Sequence, residues 1–350
     1  MSKADKVFKA TCKDILENGI SSEGENVRPK WPDGTPAHTI KKFGVVNEYD
    51  LQEEFPLITL RKTPIKSAVE EMLWIWQKKS NNIHDMNSHV WDEWADAAGT
   101  IGKAYGYQQA KKYRYKDVTP AKIDTCAAER GLWTDRFLSG DVDIVFYFDQ
   151  KTSVTEVENY KKIPGDKEKI KALKEKSAMY YEENAGFYMT QLDRVLYLLK
   201  NDPFSRRMIV TMWNPEDAAE MALEPCAYSM TFNVTKAADG YMLNSILNQR
   251  SQDILAANAW NVAQYAVLTM MLAQVSGMKP GKFIHVIADA HIYDRHIDAV
   301  KELVERPDTA APKVWLNPEV EDFYDFTKDD VFVEDYEPGG PQIRDIPIAV

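Results

Sequence analysis

Apolar residues along the chain recur at two different spacings, which predict a mixture of helices and strands. Val7, Phe8, Cys12, Ile15 and Leu16 have helical spacing and stop before a glycine. Outside residues 114–187, four helices are predicted, at residues 7–19, 65–79, 188–200 and 259–276. Strand-like runs predict seven strands, at residues 39–46, 56–60, 144–148, 208–213, 226–235, 241–248 and 283–287. The turn at 237–240 predicts a hairpin between two of them.

Residues 114–187 have a different composition from the rest of the chain. They are rich in Lys, Glu and Tyr, and residues 166–184 read as a solvated helix. The segment resembles an insertion more than a separate domain, because the motifs on its two sides belong together. We therefore expect one domain, residues 1–350, that carries an insertion at 114–187.

Composition and charge narrow the class of protein. Lys and Arg number 43 against 54 Asp and Glu, which gives a formal net charge of −11. A protein that binds nucleic acid over its whole surface normally carries positive charge, so an anionic ligand must be held by a local arginine cluster. The three cysteines, Cys12, Cys126 and Cys226, form no CxxC pair, which fits a reducing compartment and neither a disulfide framework nor a zinc site. No signal peptide or membrane span is indicated, so we expect a cytoplasmic globular protein.

Cys226 is the first candidate for chemistry. A reactive cysteine needs a nearby cation, and Arg250 lies in the polar string 248–253 on the next predicted strand. Strand alternation places Gln249, Ser251 and Asp253 on the face opposite Arg250, so a bend or bulge is needed to bring them together. The alternatives are a small buried cysteine and a solvent-exposed strand end.

Other polar and aromatic positions have two interpretations each. Arg206 and Arg207 offer bidentate donors for a phosphate, or form an ordinary charged face. Trp91 and Trp94 suit a flat heteroaromatic ligand, or belong to the core. His291 is either a ligand contact or a structural histidine. The spacing of the histidines predicts no metal pair, and no P-loop or GxGxxG motif is present.

Taken together and in order, these strings resemble the folate-dependent thymidylate synthase family. The resemblance covers the chain except for 114–187. The strings that carry it are Glu71-Met72-Leu73-Trp74, Trp91-Asp92-Glu93-Trp94, Tyr105-Gly106, Ser205-Arg206-Arg207, Trp213-Asn214-Pro215, Pro225-Cys226, Gln249-Arg250-Ser251 with Asp253, Asn261, and Asp289 with His291 and Tyr293.

The resemblance implies a fold and a reaction. The fold is α/β, with a large mixed sheet, covering helices and a homodimer formed sheet to sheet. The reaction is methylation of dUMP at C5 to give dTMP, with 5,10-methylenetetrahydrofolate as the donor of both the carbon and the hydride, and with no metal. Dihydrofolate is the second product. Cys226 would add to uracil C6, with Arg250 keeping it ionised near neutral pH, Glu71 moving protons and Tyr105 lying near C5.

The resemblance also implies binding residues. Those for dUMP are Arg28, Arg206, Arg207, Gln249, Arg250, Ser251, Asp253, Asn261, His291 and Tyr293. Those for folate are Trp91, Trp94, Asp253, Trp260 and Val350, whose terminal carboxylate would close over the ligand. Arg206 and Arg207 would come from the partner subunit, so the enzyme would be a homodimer.

Three positions depart from the commoner family pattern. Ala227 follows the cysteine where many members have histidine, and Ala257 and Ala259 replace glycine and proline. The methyl groups could crowd the folate or demand a different φ.

Two rival functions remain open. One is a dUMP hydroxymethylase of the phage type, in which water quenches the one-carbon intermediate. The other is a non-catalytic nucleotide- or RNA-binding relative, but that protein should have lost Cys226, Glu71 or Arg250. Asn261 disfavours a dCMP hydroxymethylase, which carries aspartate at this position.

Overall fold

The computed structural model describes residues 2–115, 143–147, 160–163, 185–307, 309–343 and 346–350. The chain divides into two compact units, the first made of Met1–Gln108 with Ile209–Val350 and the second of Gln109–Met208. The second unit contains the predicted insertion 114–187 and extends beyond it at both ends. The predicted helix at 166–184 and Cys126 lie outside the described residues.

A six-stranded mixed sheet forms the framework of the first unit. Its order is β1-β2-β10-β9-β8-β7, where only β9 and β10 pair in parallel and the other neighbours are antiparallel. The strands are β1 (Ile20–Ser21), β2 (Thr39–Asp50), β7 (Ile209–Thr211), β8 (Ala227–Ala237), β9 (Gly240–Asp253) and β10 (Lys279–Tyr293). The prediction of a large mixed sheet is confirmed.

The predicted hairpin between β8 and β9 is also confirmed. Ala237 pairs with Gly240 at its tip, and Gly240 has a φ of +131°, which a residue with a side chain rarely adopts. Along β9, Leu243, Ser245 and Leu247 are fully buried, while Asn244 and Ile246 between them are half-buried. This alternation places one face of the sheet against the core.

Helices cover that core face. They are α1 (Lys3–Asn18), α2 (Ile65–Trp76), α5 (Asn258–Val275) and α6 (Ile297–Glu305), and a short α3 (Gly106–Ala110) follows the loop after α2. Almost every side chain of α5 is buried, which explains why 259–276 is the most apolar helical stretch of the sequence. From α1, Phe8, Cys12 and Ile15 pack into the main cluster of buried apolar residues.

The predicted strand at 56–60 is wrong. Leu57 and Leu60 are fully buried as their apolar character demands, but the backbone between them bonds to groups other than a sheet. The Thr59 N–H donates to the Asp5 carboxylate at 2.7 Å, and the Tyr336 hydroxyl donates to the Ile58 carbonyl at 3.0 Å. Tertiary contacts satisfy this backbone, so an extended apolar run forms no ladder here.

The C-terminal part of the first unit contains elements that the sequence pattern did not predict. A 3-10 turn (Asp294–His296) joins β10 to helix α6, and β11 (Lys313–Leu316) pairs with β12 (Val331–Glu334) in a separate two-stranded sheet. Strand β10 has 15 residues, against five predicted. Its polar end carries candidate site residues, so the sheet extends further toward the site than expected.

The second unit contains a four-stranded antiparallel sheet of order β3-β6-β4-β5. Its strands are β3 (Lys112–Tyr115), β4 (Asp143–Tyr147), β5 (Tyr160–Ile163) and β6 (Ala185–Thr190), and helix α4 (Gln191–Asn201) follows. The predicted strand at 144–148 therefore corresponds to β4. The Thr190 hydroxyl caps α4 by accepting from the Asp193 N–H.

Among the described residues, no helix is both long and apolar enough to cross a lipid bilayer.

Candidate active site

Glu71 is a buried carboxyl surrounded by N–H donors. It lies on α2 with 7% of its surface exposed. The Trp91 indole N–H donates to Oε1 at 2.7 Å, and Gln264 Nε2 donates to Oε2 at 2.8 Å. The Trp260 indole also donates to Oε2. Burial raises the pKa of Glu71 overall, while these donors oppose the rise. A carboxyl with a raised pKa is suited to exchanging protons near neutral pH.

An aromatic cluster connects Glu71 with the cysteine. The Trp91 ring packs edge-on against Trp94 at 5.6 Å and against Tyr105 at 5.0 Å between centroids. Tyr105 is buried, with a φ of +41°, and its hydroxyl oxygen accepts a hydrogen bond of 3.0 Å from the Cys226 backbone N–H. The phenol therefore lies between the indole that holds Glu71 and the loop that holds Cys226.

Cys226 and Arg250 are neighbours, as the sequence indicates. Arg250 Nη2 lies 3.6 Å from Cys226 Sγ and donates to the Glu224 carbonyl at 3.0 Å. The Arg250 backbone N–H donates to the Cys226 carbonyl at 2.8 Å. Two bonds thus fix this arginine beside the sulfur.

Burial opposes the effect expected of Arg250, which is to keep Cys226 ionised near neutral pH. Burial is the largest influence and raises the pKa of Cys226, while the charges of Arg250 and Arg28 oppose it without overcoming it. The thiol is therefore the favoured form at neutral pH, with two cations in position to stabilise the thiolate when it forms.

The irregularity expected in this part of the sheet is present, but it lies on β8. The register of β8 against β9 shifts between Ala227 and Ser229, opposite Gln249 and Asn248. The β9 strand itself continues to Asp253, paired with β10. The bulge lets Arg250 bond to the Cys226 loop while Gln249 is buried toward α5.

Gln249 and Asn261 are joined by a hydrogen bond across the core face. Gln249 Nε2 donates to Asn261 Oδ1 at 3.1 Å, and Asn261 Nδ2 donates to Gln264 Oε1 at 3.0 Å. Gln264 was not singled out from the sequence. Its signal is a polar residue three positions after Asn261 in a helix that is otherwise apolar on this face.

Asp253 ends β9 and is held by the loop that follows. Its Oδ1 accepts from the backbone N–H groups of Leu255 at 2.9 Å and Ala256 at 3.0 Å. His296 Nδ1 lies 3.6 Å from the same oxygen. Burial alone would raise the pKa of Asp253, but His296 and the backbone donors lower it overall, so the group is ionised at neutral pH.

His291 and Tyr293 lie together at the end of β10. Their rings pack edge-on at 4.9 Å, and His291 Nδ1 lies 2.7 Å from Asp289 Oδ1. Ser251 pairs with Asp289 across the two strands. Burial raises the pKa of Tyr293 to about 12, while the Arg28 charge opposes the rise.

The C-terminal residue pairs with the segment that carries Arg28. The backbones of Val350 and Lys30 exchange two hydrogen bonds, of 2.9 and 3.0 Å. His296, which sequence reasoning also missed, places Nε2 2.8 Å from the Pro347 carbonyl oxygen. One buried imidazole therefore contacts both the tail and Asp253.

Arg206 and Arg207 belong to the second unit. Both side chains are exposed, and the Arg207 carbonyl accepts a hydrogen bond of 2.8 Å from Arg194 Nη1.

Across the part of the chain that the structure describes, no group of three or more His, Cys, Asp or Glu side chains is placed to hold a metal ion.

Comparison with known proteins identifies the family. A sequence model described as thymidylate synthase matches residues 6–350. The chain is 36% identical over 352 residues to "Thymidylate synthase 1" of Bacillus subtilis (strain 168), covering 99% of this chain and 100% of that protein. It is 36% identical, with the same coverage, to the thymidylate synthase of Bacillus phage phi3T. The chain belongs to the thymidylate synthase family.

A solved structure agrees with this membership. The thermostable thymidylate synthase A from Bacillus subtilis matches with a TM-score of 0.73 and 34% sequence identity, over 100% of both chains. The expected thymidylate synthase fold and methyltransferase class are therefore confirmed.

The structure also shows how the departures from the commoner family pattern fit. Ala257 has φ −111° and ψ −22°, so no glycine-specific conformation is needed at the start of α5. Ala259 is 3% exposed within the first turn of that helix, and Ala227 is 4% exposed on β8. None of the three alanines has a positive φ, so the methyl groups cause no backbone strain there.

Proposed function

We propose that this thymidylate synthase methylates dUMP with Cys226 as the nucleophile and Glu71 as the proton-transfer group. The observation that carries the proposal is the connected arrangement of the two. Glu71 contacts Trp91, Trp91 contacts Tyr105, and Tyr105 bonds to the Cys226 backbone. A nucleophile and a proton-transfer group with a raised pKa are both needed when a covalent addition and an enolate-like carbon occur in one reaction.

The reaction assigns each group a step. Cys226 Sγ forms a bond to uracil C6, which makes C5 nucleophilic, and Arg250 stabilises the thiolate that attacks. Methylenetetrahydrofolate supplies the one-carbon unit that bonds to C5 and later the hydride that reduces it to methyl. Tyr105 lies on the path by which the C5 proton leaves, and Glu71 moves protons at uracil O4 and the folate nitrogen. The Cys226–C6 bond then breaks and releases dTMP and dihydrofolate.

The chemistry of the donors fits a uridine nucleotide. Arg28, Arg250 and Ser251 are suited to the phosphate, because two cations near Cys226 offset its charge in an acidic protein. The His291–Tyr293 pair offers polar groups for the deoxyribose hydroxyl. Asn261 keeps one amide hydrogen and one oxygen lone pair beyond its two bonds within the protein, and these match uracil O4 and N3–H.

A folate fits beside the nucleotide by the same reasoning. The indoles of Trp91, Trp94 and Trp260 supply flat apolar surface around Glu71, and Asp253 is a fixed anion that can accept from the N–H groups of a pterin ring. Val350, paired with Lys30, would close over the folate and exclude water from the intermediate.

The same proposal includes a homodimer in the cytoplasm. Phe43 and Val46 on β2 are 87% and 62% exposed, which is unusual for large apolar side chains on a sheet and supports sheet-to-sheet association. In that dimer Arg206 and Arg207 of each chain would complete the partner's phosphate site. Residues 114–187 would be an insertion within a single thymidylate synthase domain.

The products of one incubation test the function. Protein, dUMP and methylenetetrahydrofolate should give dTMP and dihydrofolate in equal amounts. Tetrahydrofolate with hydroxymethyl-dUMP would instead assign the chain to a hydroxymethylase, and the absence of any product would favour a binding protein. Cys226→Ala is the matched control, since it should bind dUMP and form no product, whereas Cys12→Ala should stay active.

A further inference from the structure

A chain of side-chain hydrogen bonds runs through the core beside the base-binding position. We call Gln249, Asn261 and Gln264 the amide chain. Gln249 Nε2 donates to Asn261 Oδ1 at 3.1 Å, and Asn261 Nδ2 donates to Gln264 Oε1 at 3.0 Å. Each primary amide has a donor end and an acceptor end, so the direction of one bond dictates the direction of the next.

The Gln264 end of the amide chain permits only one direction. Gln264 is 3% exposed, and its Nε2 donates to the Ala68 carbonyl oxygen at 3.0 Å and to Glu71 Oε2 at 2.8 Å. A backbone carbonyl can only accept. Turning the Gln264 amide over would place its oxygen against two acceptor oxygens and lose both bonds in a buried site, which is costly. Gln264 Oε1 therefore has to face Asn261 Nδ2.

The opposite end of the amide chain permits either direction. Gln249 Oε1 lies 2.7 Å from Nε2 of His285, a histidine of β10 with no exposed surface. Burial lowers the pKa of His285 to about 3, so the imidazole is neutral, and its Nδ1 has no hydrogen-bond partner among the described residues. A neutral imidazole can carry its proton on either nitrogen, so Nε2 can donate or accept.

From this asymmetry we infer that Gln264 is a positioning residue that fixes the Asn261 amide and thereby makes the site select uracil over cytosine. The inference rests on the proposed function, in which Asn261 pairs with the base. In the fixed orientation Asn261 presents one free lone pair on Oδ1 and one free hydrogen on Nδ2. Uracil complements them with N3–H and O4, whereas cytosine presents an acceptor at N3 and a donor at N4.

Gln264→Met tests the inference, because methionine keeps the length of the side chain and removes its polar ends. Without the anchor at Ala68, Asn261 and Gln249 can turn over together while His285 changes tautomer, and no bond between them is lost. Calorimetric titration of wild type and variant with dUMP and with dCMP should show the preference for dUMP falling at least tenfold in the variant. If Gln264 had a purely structural role, the variant would bind both nucleotides more weakly by the same factor, and the ratio of their affinities would not change.

His285→Phe is the matched control. It removes a hydrogen bond from the other end of the amide chain but leaves the anchor at Ala68, so the dUMP to dCMP ratio should stay near that of wild type. An unchanged ratio in Gln264→Met, or an equal fall in His285→Phe, would overturn the inference. If Gln264→Met does not fold, Gln264→Leu takes its place.

A measurement on the unmodified protein is independent of any variant. Nitrogen-15 NMR of His285 should show the tautomer protonated on Nε2, and protonation on Nδ1 would contradict the assigned direction. The inference and the proposed function can fail separately. A wild-type protein that does not bind dUMP defeats the function, whereas a wild type that prefers dUMP, with a variant that keeps the preference, defeats only the role of Gln264.

Discussion

Trp91→Phe isolates one hydrogen bond to the buried carboxyl. The change removes the indole N–H that donates to Glu71 Oε1 at 2.7 Å and keeps an aromatic ring in a site that is 7% exposed. A hydrogen bond to a charged group contributes about 1.5–3 kcal/mol, and one between neutral groups about 1 kcal/mol. The ionised form therefore loses about 0.5–2 kcal/mol more than the neutral form, which raises the pKa of Glu71 by about one pH unit.

Trp91→Phe should also change how the free energy of unfolding depends on pH. Burial already raises the pKa of Glu71, so the folded state holds this proton more tightly than the unfolded state. The resulting contribution to stability is complete below the ordinary pKa of a glutamate and is lost as the pH rises through the folded-state pKa. Because the variant raises that pKa further, its free energy of unfolding should fall below that of wild type by about 0.5–2 kcal/mol more at high pH than at low pH.

Infrared spectroscopy and denaturation supply the two measurements. The carbonyl stretch of the protonated carboxyl, identified by its loss in Glu71→Gln, should disappear at a higher pH in Trp91→Phe than in wild type. Trp94→Phe is the control, because Trp94 packs against Trp91 at 5.6 Å while the N–H donors to Glu71 stay in place. If the pH at which half of this carbonyl band is lost stays the same or falls in Trp91→Phe, or rises equally in Trp94→Phe, the reasoning is refuted.

Three further predictions concern the sulfur, the tail and the dimer. Arg250→Met should slow the alkylation of Cys226 by iodoacetamide at a fixed pH without nucleotide, because the guanidinium lowers a pKa that burial raises; an equal or faster rate would contradict this. Deletion of Val350 should reduce dTMP formation at least tenfold and leave the dUMP dissociation constant unchanged, and wild-type turnover would exclude a role for the tail. An equal mixture of the inactive Cys226→Ala and Arg206→Glu/Arg207→Glu chains, unfolded and refolded together, should recover about a quarter of wild-type activity, and no recovery would show that the sites are not shared.

Local chemistry made part of the fold predictable. Helix α5 has apolar residues on every face, and the 237–240 turn with its glycine marks a hairpin directly. The segment 56–60 is equally apolar but forms no strand, since its backbone partners are Asp5, Tyr336 and Gly339, distant in sequence. A pattern of apolar positions reports burial, and it does not report which groups satisfy the backbone.

Part of the candidate site could likewise be predicted from the sequence, and part depends on tertiary contacts. Cys226 and Arg250 could be paired from the sequence, because adjacent strands and ordinary cysteine chemistry require a cation close to the sulfur. The direction in which the pKa of Cys226 shifts could not be predicted from the sequence, since it depends on how deeply the sulfur is buried. Gln264 and His285 lie in stretches where a polar residue first reads as an interruption, and their partners come from three different elements.

The most direct test of Cys226 as the nucleophile uses a substrate that stops the reaction halfway. In 5-fluoro-dUMP a fluorine replaces the C5 proton that has to leave, so addition of the sulfur to C6 and bonding of C5 to the folate carbon should give a stable adduct. Peptide mass analysis after incubation with methylenetetrahydrofolate should find nucleotide and folate together on the peptide that contains Cys226. An adduct on Cys12 or Cys126, or no adduct in a protein that binds dUMP, would contradict the mechanism proposed for this site.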